Sequence, residues 1–121
     1  MFYELKQKVE SPMEKLFLKD CVTLGIRIEP QVKIGRYRAD FAIKERKIIV
    51  EIDGKEWHSS KKQIKKDLER EDYLYNLGWS IIRITGSEVY QNGEEIAAEI
   101  KGFLNSKESD EEIFRWSFSK Q

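Results

Sequence analysis

Apolar and polar residues follow two different periods along the chain, and each period predicts a type of element. The segment Ser11-Pro12-Met13-Glu14 has the residues of a capped helix start, and apolar residues then recur at helical spacing up to Gly25. Two more helices are predicted at 61–77 and 94–104, and Gly78 ends the first of these. The apolar residues expected to anchor the three helices are Met13, Leu16, Phe17, Cys21 and Leu24, then Ile64, Leu68, Leu74, Tyr75 and Leu77, then Ile96, Ala97, Ile100, Phe103 and Leu104.

Four shorter apolar runs predict strands at 31–34, 37–43, 48–52 and 79–85. The resulting order is α-β-β-β-α-β-α, which predicts an α/β (α+β) domain with helices covering a mixed sheet of about four strands. We expect one domain over residues 1–121, with a core at about 11–104. The tail, 105–121, mixes acids with three aromatic residues, and its pattern does not predict a position.

The two central strands predict an antiparallel hairpin with a short connection at 44–47. If Glu45 and Arg46 form the turn, the numbers of facing residues sum to 91. The facing pairs are then apolar and share one side of the sheet: Ile43 with Ile48, Phe41 with Val50, and Ala39 with Ile52. A slip of one residue would destroy this match, so the pattern supports the register. Glu45-Arg46 is a poor two-residue turn, however, and a longer turn would allow another register.

The same register puts Asp40 opposite Glu51 on the other face, with Asp53 two residues further on, so three carboxylates are expected to converge. Such carboxylates repel unless one is protonated, a basic side chain intervenes or a cation bridges them. One interpretation is a magnesium site formed by Asp40, Glu51 and the carbonyl of Ile52, because Mg²⁺ prefers oxygen ligands. The other is a surface hairpin with solvated charges, in which Arg38 neutralises Asp53.

Composition limits the classes of protein that remain. The net charge is zero, but residues 1–70 carry a balance of +5 and residues 71–121 a balance of −5, which leaves a basic surface for a polyanion. The single cysteine, Cys21, excludes an internal disulfide and a multi-cysteine zinc site. No apolar run of membrane-spanning length and no signal peptide is evident, so we expect a cytoplasmic protein without a membrane partner.

Several motifs together resemble a known family. They are Tyr37-Arg38-Ala39-Asp40-Phe41, Ile49-Val50-Glu51-Ile52-Asp53-Gly54, His58, and Leu77-Gly78-Trp79 before Ile81-Ile82-Arg83. Over about residues 11–104 they are similar to very-short-patch-repair-like endonuclease domains of the PD-(D/E)XK restriction-endonuclease-like superfamily. The resemblance implies the fold predicted above and an endonuclease that hydrolyses DNA phosphodiester bonds with Mg²⁺ or Mn²⁺.

The resemblance also assigns residues. Asp40 and Glu51 correspond to the two metal-binding acids, Glu14 to a helix-borne glutamate, His58 to a histidine after the third strand, and Asp67 to a later aspartate. Glu14 has a structural alternative, because it can also close the capping box with Ser11. The expected catalytic residues are Asp40, Glu51, Asp53, His58 and Glu14, and the expected metal ligands are Asp40, Glu51 and Ile52.

One departure from the superfamily affects the chemistry. The usual lysine, two residues after the second acid, is Asp53 here, which leaves the activation of water unassigned. Arg83, with apolar neighbours in its strand, is expected to pair with a buried acid.

Basic residues near these acids are candidates for binding the nucleic-acid backbone: Arg36, Arg38, Lys55, Lys61, Lys62 and Lys65. Contacts to phosphates position DNA without reading its sequence, so we expect low intrinsic specificity. The alternative function is a non-catalytic nucleic-acid-binding or interaction module on the same fold. A homodimer or a larger complex is compatible with either function.

Overall fold

The structure of the protein is a computed structural model that describes Leu5, Val9 and residues 11–53 and 60–106. Its elements, in chain order, are helix α1 (Pro12–Thr23), strands β1 (Glu29–Ile34), β2 (Tyr37–Ile43) and β3 (Ile48–Asp53), helix α2 (Lys61–Asn76), strand β4 (Ser80–Thr85) and helix α3 (Gly86–Asn105). This order and the mixed four-stranded sheet confirm the predicted fold class. Among the described residues, none of the helices has both the length and the apolar composition needed to cross a bilayer.

The sheet has the strand order β1-β2-β3-β4, with β1, β2 and β3 antiparallel and β4 parallel to β3. The hairpin has the predicted register, because Ile43 pairs with Ile48 and Phe41 with Val50. Its connection differs from a two-residue turn: a single 3₁₀ turn, Lys44–Arg46, is followed by Lys47 at a φ of 51°. Four connecting residues centred on the predicted pair leave the register unchanged.

Helices cover both faces of the sheet. Consecutive strand residues point to opposite sides, so Ile48 and Val50 pack with α1 and α3, while Ile49 packs with Leu74 of α2. The larger core lies on the side of α1 and α3, where Phe17 contacts Phe41 edge to face with ring centroids 5.5 Å apart. β3 is therefore buried on both faces, which fixes the strand that carries Glu51.

The alternation of side chains between the two faces of the sheet is interrupted in β1 and β2, at the level of Asp40. Ala39 was predicted to share a side with Phe41, but it packs with Ile49 in the core under α2. On the neighbouring strand, Gln31 has a φ of 52° and lies between the paired residues on either side of Asp40. The left-handed conformation of Gln31 interrupts the pleat, which explains why the predicted facing of Ala39 is wrong. Asp40 therefore lies at an irregularity of the sheet.

The predicted apolar anchors of α2 are mostly wrong. Leu74 is 1% exposed, whereas Leu68 is 55% exposed, and Ile64, Tyr75 and Leu77 are also exposed. Three other residues of α2 at helical spacing with Leu74, namely Asp67, Arg70 and Glu71, are half-buried and charged. Two of them form ion pairs with strand residues, Arg70 with Glu51 and Glu71 with Arg83. α2 thus turns a partly ionic face to the sheet, which apolar periodicity does not detect.

The last helix begins eight residues earlier than predicted. Thr85 caps α3 at its N-terminus, and Glu88 completes a capping box, as Ser11 and Glu14 do for α1. The helix is kinked at Asn92, where φ is −137°. The prediction detected only the segment beyond the kink, because its apolar spacing is regular.

Two leucine substitutions test the orientation of α2. Leu74→Ala should lower the free energy of unfolding by about 2–5 kcal/mol, because it leaves a cavity in the core. Leu68→Ala, at an exposed position of the same helix, should change it by no more than about 0.5 kcal/mol. Urea unfolding of both variants measures the difference, and equal losses would show that α2 packs in a different orientation.

Candidate functional site

Asp40 and Glu51 lie next to Phe41 and Val50, the last regular pair between β2 and β3. Hydrogen bonds from main-chain N–H groups to their side chains connect the two strands there. The main-chain N–H of Asp40 donates to Oε2 of Glu51 at 3.1 Å, and the N–H of Ile52 donates to Oδ2 of Asp40 at 3.0 Å. The backbone therefore holds the two acids in contact, as the predicted register requires.

This contact changes the ionisation of Asp40. The pKa of Asp40 rises from 3.8 to about 7, chiefly because the group is buried and also because of the negative charges of Glu51 and Glu14. The hydrogen bond from the Ile52 N–H acts in the opposite direction. At pH 7 a substantial fraction of the molecules therefore carries a proton on Asp40, at a position where a cation would relieve the same repulsion.

A cationic side chain from α2 completes the contacts of Glu51. Nη2 of Arg70 pairs with Oε1 of Glu51 and donates to the carbonyl oxygen of Arg38 at 3.3 Å. The side chain of Arg70 is only 19% exposed. Sequence reasoning missed Arg70, although a signal was present: it lies four residues before the buried Leu74 and so shares the inward face of α2.

Glu14 takes the capping role, which is one of the two roles that the sequence left open. Its Oε2 accepts hydrogen bonds from the main-chain N–H and the hydroxyl of Ser11, each at 3.0 Å, and so closes the capping box. Its Oε1 accepts a hydrogen bond from Nε2 of Gln31 at 3.1 Å. Glu14 is buried, and its charge raises the pKa of Asp40. One carboxylate therefore caps α1, and its charge acts on Asp40.

Close packing at Gly86 allows α1 to approach the site. A Cβ atom on Gly86 would lie 2.3 Å from Sδ of Met13 and 3.6 Å from the carbonyl oxygen of Asp53. The first turn of α1 therefore lies against the junction of β4 and α3, beside the end of β3. A side chain at position 86 would therefore require the side chain of Met13 to move.

Asp53 belongs to a second group of charges. Burial raises its pKa, the positive charge of Arg83 opposes the rise, and the charge of Asp67 adds to it. Arg83 also pairs with the partly buried Glu71, which confirms that it pairs with an acid. Within the described ranges, no three His, Cys, Asp or Glu side chains are grouped as a metal site, so the expected convergence of three carboxylates is not found there. Parallel pairing of β3 with β4 puts Arg83 opposite Glu51 and Thr85 opposite Asp53, and the charge of Arg83 acts on Asp53 from there.

The remaining predicted residues fall into three sets. His58 and Lys55 lie outside the described residues. Arg36 rests over the rings of Tyr37 and Tyr73, at 5.0 and 5.6 Å from their centroids. Arg38, Lys61, Lys62 and Lys65 are exposed, as Arg36 is, and the three lysines lie on the first turns of α2.

The donor atoms of the acidic pair can be compared with the needs of an ion. Asp40 and Glu51 offer carboxylate oxygens, the hard ligands that Mg²⁺ and Mn²⁺ prefer. Mg²⁺ commonly uses one or two carboxylates and completes its coordination with water and phosphate oxygens. The pair fits an ion of this kind. It does not fit a tetrahedral structural zinc site, which needs four protein ligands, usually sulfur or nitrogen.

Helices on both faces of a mixed sheet, with two acids on its central hairpin, define a restriction-endonuclease-like domain. Residues 14–104 match the model of the family REase_MTES_1575, which is of restriction-endonuclease-like type. The chain belongs to this family.

Individual relatives agree with this assignment. An uncharacterized protein of Haemophilus influenzae is 35% identical over 79 residues, 65% of this chain but 48% of its own length, so the chain spans about half of that relative. The type II nicking enzyme V.HpaIIP of Haemophilus parainfluenzae is 29% identical over 79% of this chain and 82% of its own. The catalytic domain of the homing endonuclease I-Bth0305I is 18% identical, with a TM-score of 0.60 over 78% of this chain and 94% of that domain, which shows a shared fold.

The raised pKa of Asp40 predicts a pH-dependent stability in metal-free buffer. Between about pH 4 and pH 7 the folded protein keeps a proton that the unfolded chain has released, so stability falls as the pH rises. Asp40→Asn cannot ionise and should raise Tm by about 5 °C at pH 8, but much less at pH 4. Calorimetry in EDTA measures this, with the exposed-site variant Glu95→Gln as the control. A gain for Asp40→Asn that is the same at both pH values would contradict the shift.

Proposed function

We propose that this chain is a divalent-metal-dependent endonuclease that hydrolyses DNA phosphodiester bonds at the Asp40–Glu51 pair. The observation that carries the proposal is the contact between the buried Glu51 and the half-buried Asp40, whose pKa is raised to about 7. Perturbed acids of this kind are frequent at functional sites. The names of two similar proteins, a nicking enzyme and a homing endonuclease domain, support cleavage of DNA.

Asp40, Glu51 and the carbonyl of Ile52 would hold Mg²⁺ or Mn²⁺, with Glu14 assisting. When bound, the ion supplies polarisation of a phosphate oxygen and a lowered pKa for a coordinated water. Arg70 keeps Glu51 in place and adds positive charge to the site, where the superfamily's lysine is replaced by Asp53. Asp53, whose pKa burial raises, and His58 are the groups that would accept or donate protons at the attacking and leaving oxygens.

Exposed lysines on α2 would hold the DNA backbone. Lys61, Lys62 and Lys65 lie on the first turns of the helix that also carries Arg70, so this helix connects the acids to a basic surface. Lys55, Arg36 and Arg38 would add to this surface. Because these contacts reach phosphates rather than base edges, the proposed enzyme has low intrinsic specificity.

A second candidate function is a nucleic-acid-binding module without catalysis. The ion pair between Arg70 and Glu51 favours it, because Arg70 compensates the charge of Glu51 without a metal. Asp53 in place of the lysine favours it too. The two candidates differ in whether the acidic pair binds a divalent ion and supports cleavage.

Cleavage of supercoiled plasmid with Mg²⁺ or Mn²⁺ separates them. Wild type should produce nicked or linear DNA, and Asp40→Asn and Glu51→Gln should each lower the rate at least about a hundredfold, because each removes a charged metal ligand. Glu95→Gln, an isosteric change at an exposed site on α3, should cut at the wild-type rate. An inert wild type, or active-site variants that cut normally, would favour the binding module.

The salt dependence of DNA binding tests the basic surface. Each of Lys61→Gln, Lys62→Gln and Lys65→Gln should reduce the slope of log affinity against log salt by about 0.9, the value for one phosphate contact. Lys19→Gln, which removes an exposed charge from α1, should leave the slope unchanged. Fluorescence anisotropy with a duplex in Ca²⁺ or EDTA measures the slopes without cleavage. Equal slopes for all four variants would place the DNA on another surface.

A further inference from the structure

Gln31 has a backbone conformation that a side chain normally disfavours. Its φ of 52° lies in the left-handed region, which glycine adopts readily and residues with a Cβ atom adopt rarely. It is an interior residue of β1, where no turn requires this conformation. Unfavourable backbone conformations persist where their surroundings impose them, and they are frequent at functional sites.

The conformation coincides with a change of side along two strands. In a regular strand, residues an even number of positions apart face the same side of the sheet. Ile28, directly before β1, packs with the core under α1 and α3, whereas Ile34, six residues later, packs under α2. On β2 the change falls between Ala39 and Phe41, on either side of Asp40. Gln31 and Asp40 therefore occupy the same level of the sheet, between the pairs Pro30–Phe41 and Val32–Ala39.

At this level the side chain of Gln31 reaches Glu14 on α1. Its Nε2 donates to Oε1 of Glu14 at 3.1 Å, while Ser11 holds the other oxygen of the same carboxylate. Both oxygens of Glu14 are thus engaged, from β1 and from the helix start. This arrangement fixes a buried carboxylate through Gln31, the residue of β1 that lies level with Asp40 of β2.

We propose that Gln31 is a positioning residue whose left-handed conformation directs its amide to Glu14 and so fixes the Glu14 carboxylate beside Asp40 for metal binding. The inference rests on the proposed function, because it assigns Glu14 to the site that Asp40 and Glu51 form. Gln31 acts through Glu14 and does not itself bind the metal. Its amide orients a carboxylate in the way that outer hydrogen-bond partners orient metal ligands.

Gln31→Gly separates positioning from stability. Glycine adopts the same φ without strain, so the variant keeps the break in β1 and loses only the amide. We expect an unchanged or higher Tm, an affinity for Mn²⁺ about tenfold weaker by calorimetric titration, and a kcat about tenfold lower with KM for DNA within about threefold. A merely structural Gln31 would leave the affinity for Mn²⁺ and kcat unchanged.

A double-mutant cycle tests the route through Glu14. Glu14→Gln keeps an acceptor for the capping box, so it should fold, and it removes the charge. If Gln31 acts through Glu14, the double variant Gln31→Gly/Glu14→Gln should bind Mn²⁺ no more weakly than Glu14→Gln alone. Fully additive losses would overturn the proposal.

The Mn²⁺ titration also distinguishes this inference from the proposed function. If wild type binds Mn²⁺ but does not cut DNA, nuclease function fails, while the comparison of Gln31→Gly with wild type still decides the inference. Equal affinities would overturn it, and a weaker affinity in the variant would support it. If wild type binds no Mn²⁺, both the metal site and the positioning role are overturned.

Discussion

The contact between Asp40 and Glu51 is the constraint around which the other features of the site are arranged. The buried Glu51 and the half-buried Asp40 repel each other when both are charged, and the fold offsets this repulsion with the raised pKa of Asp40, main-chain N–H donors and the guanidinium of Arg70. The N–H donors lie on β2 and β3, and the guanidinium lies on α2. Without such compensation, burying two like charges would favour separation of the strands, so β2, β3 and α2 depend on one another here.

The contact also explains the character of α2. The helix packs on the sheet through Leu74 and through Arg70 and Glu71, each of which pairs with a strand residue of opposite charge. Partly buried ion pairs add little net stability but specify geometry, because breaking one leaves an uncompensated charge. They therefore fix the orientation of α2, while Ile64 and Leu68 remain exposed. The same orientation connects the acids to the exposed lysines of the first turns.

Local patterns predicted the elements, and pairing patterns predicted the centre of the site. Apolar alternation on both central strands determined the register, and the register alone placed Asp40 beside Glu51. Gln31 and Arg70 could not be found in this way, because their roles depend on contacts between elements far apart in sequence. The early start of α3 is a different case. Thr85 and Glu88 form a capping box that is visible in the sequence, but the apolar spacing after the kink dominated the prediction.

Family membership establishes the architecture of this chain, while the chemistry depends on how its own residues distribute charge. The superfamily places a lysine on the strand after its second acid, and here that position is Asp53, whose pKa burial raises. Positive charge reaches the same region from elsewhere, through Arg70 on α2 and Arg83 on β4. Because a guanidinium stays charged at any physiological pH, it can balance acids but cannot take a proton from water. Proton transfer in the proposed reaction must therefore fall to a carboxyl group, to His58 or to water. Charge balance and proton transfer, which one strand lysine can combine, are thus divided between different groups.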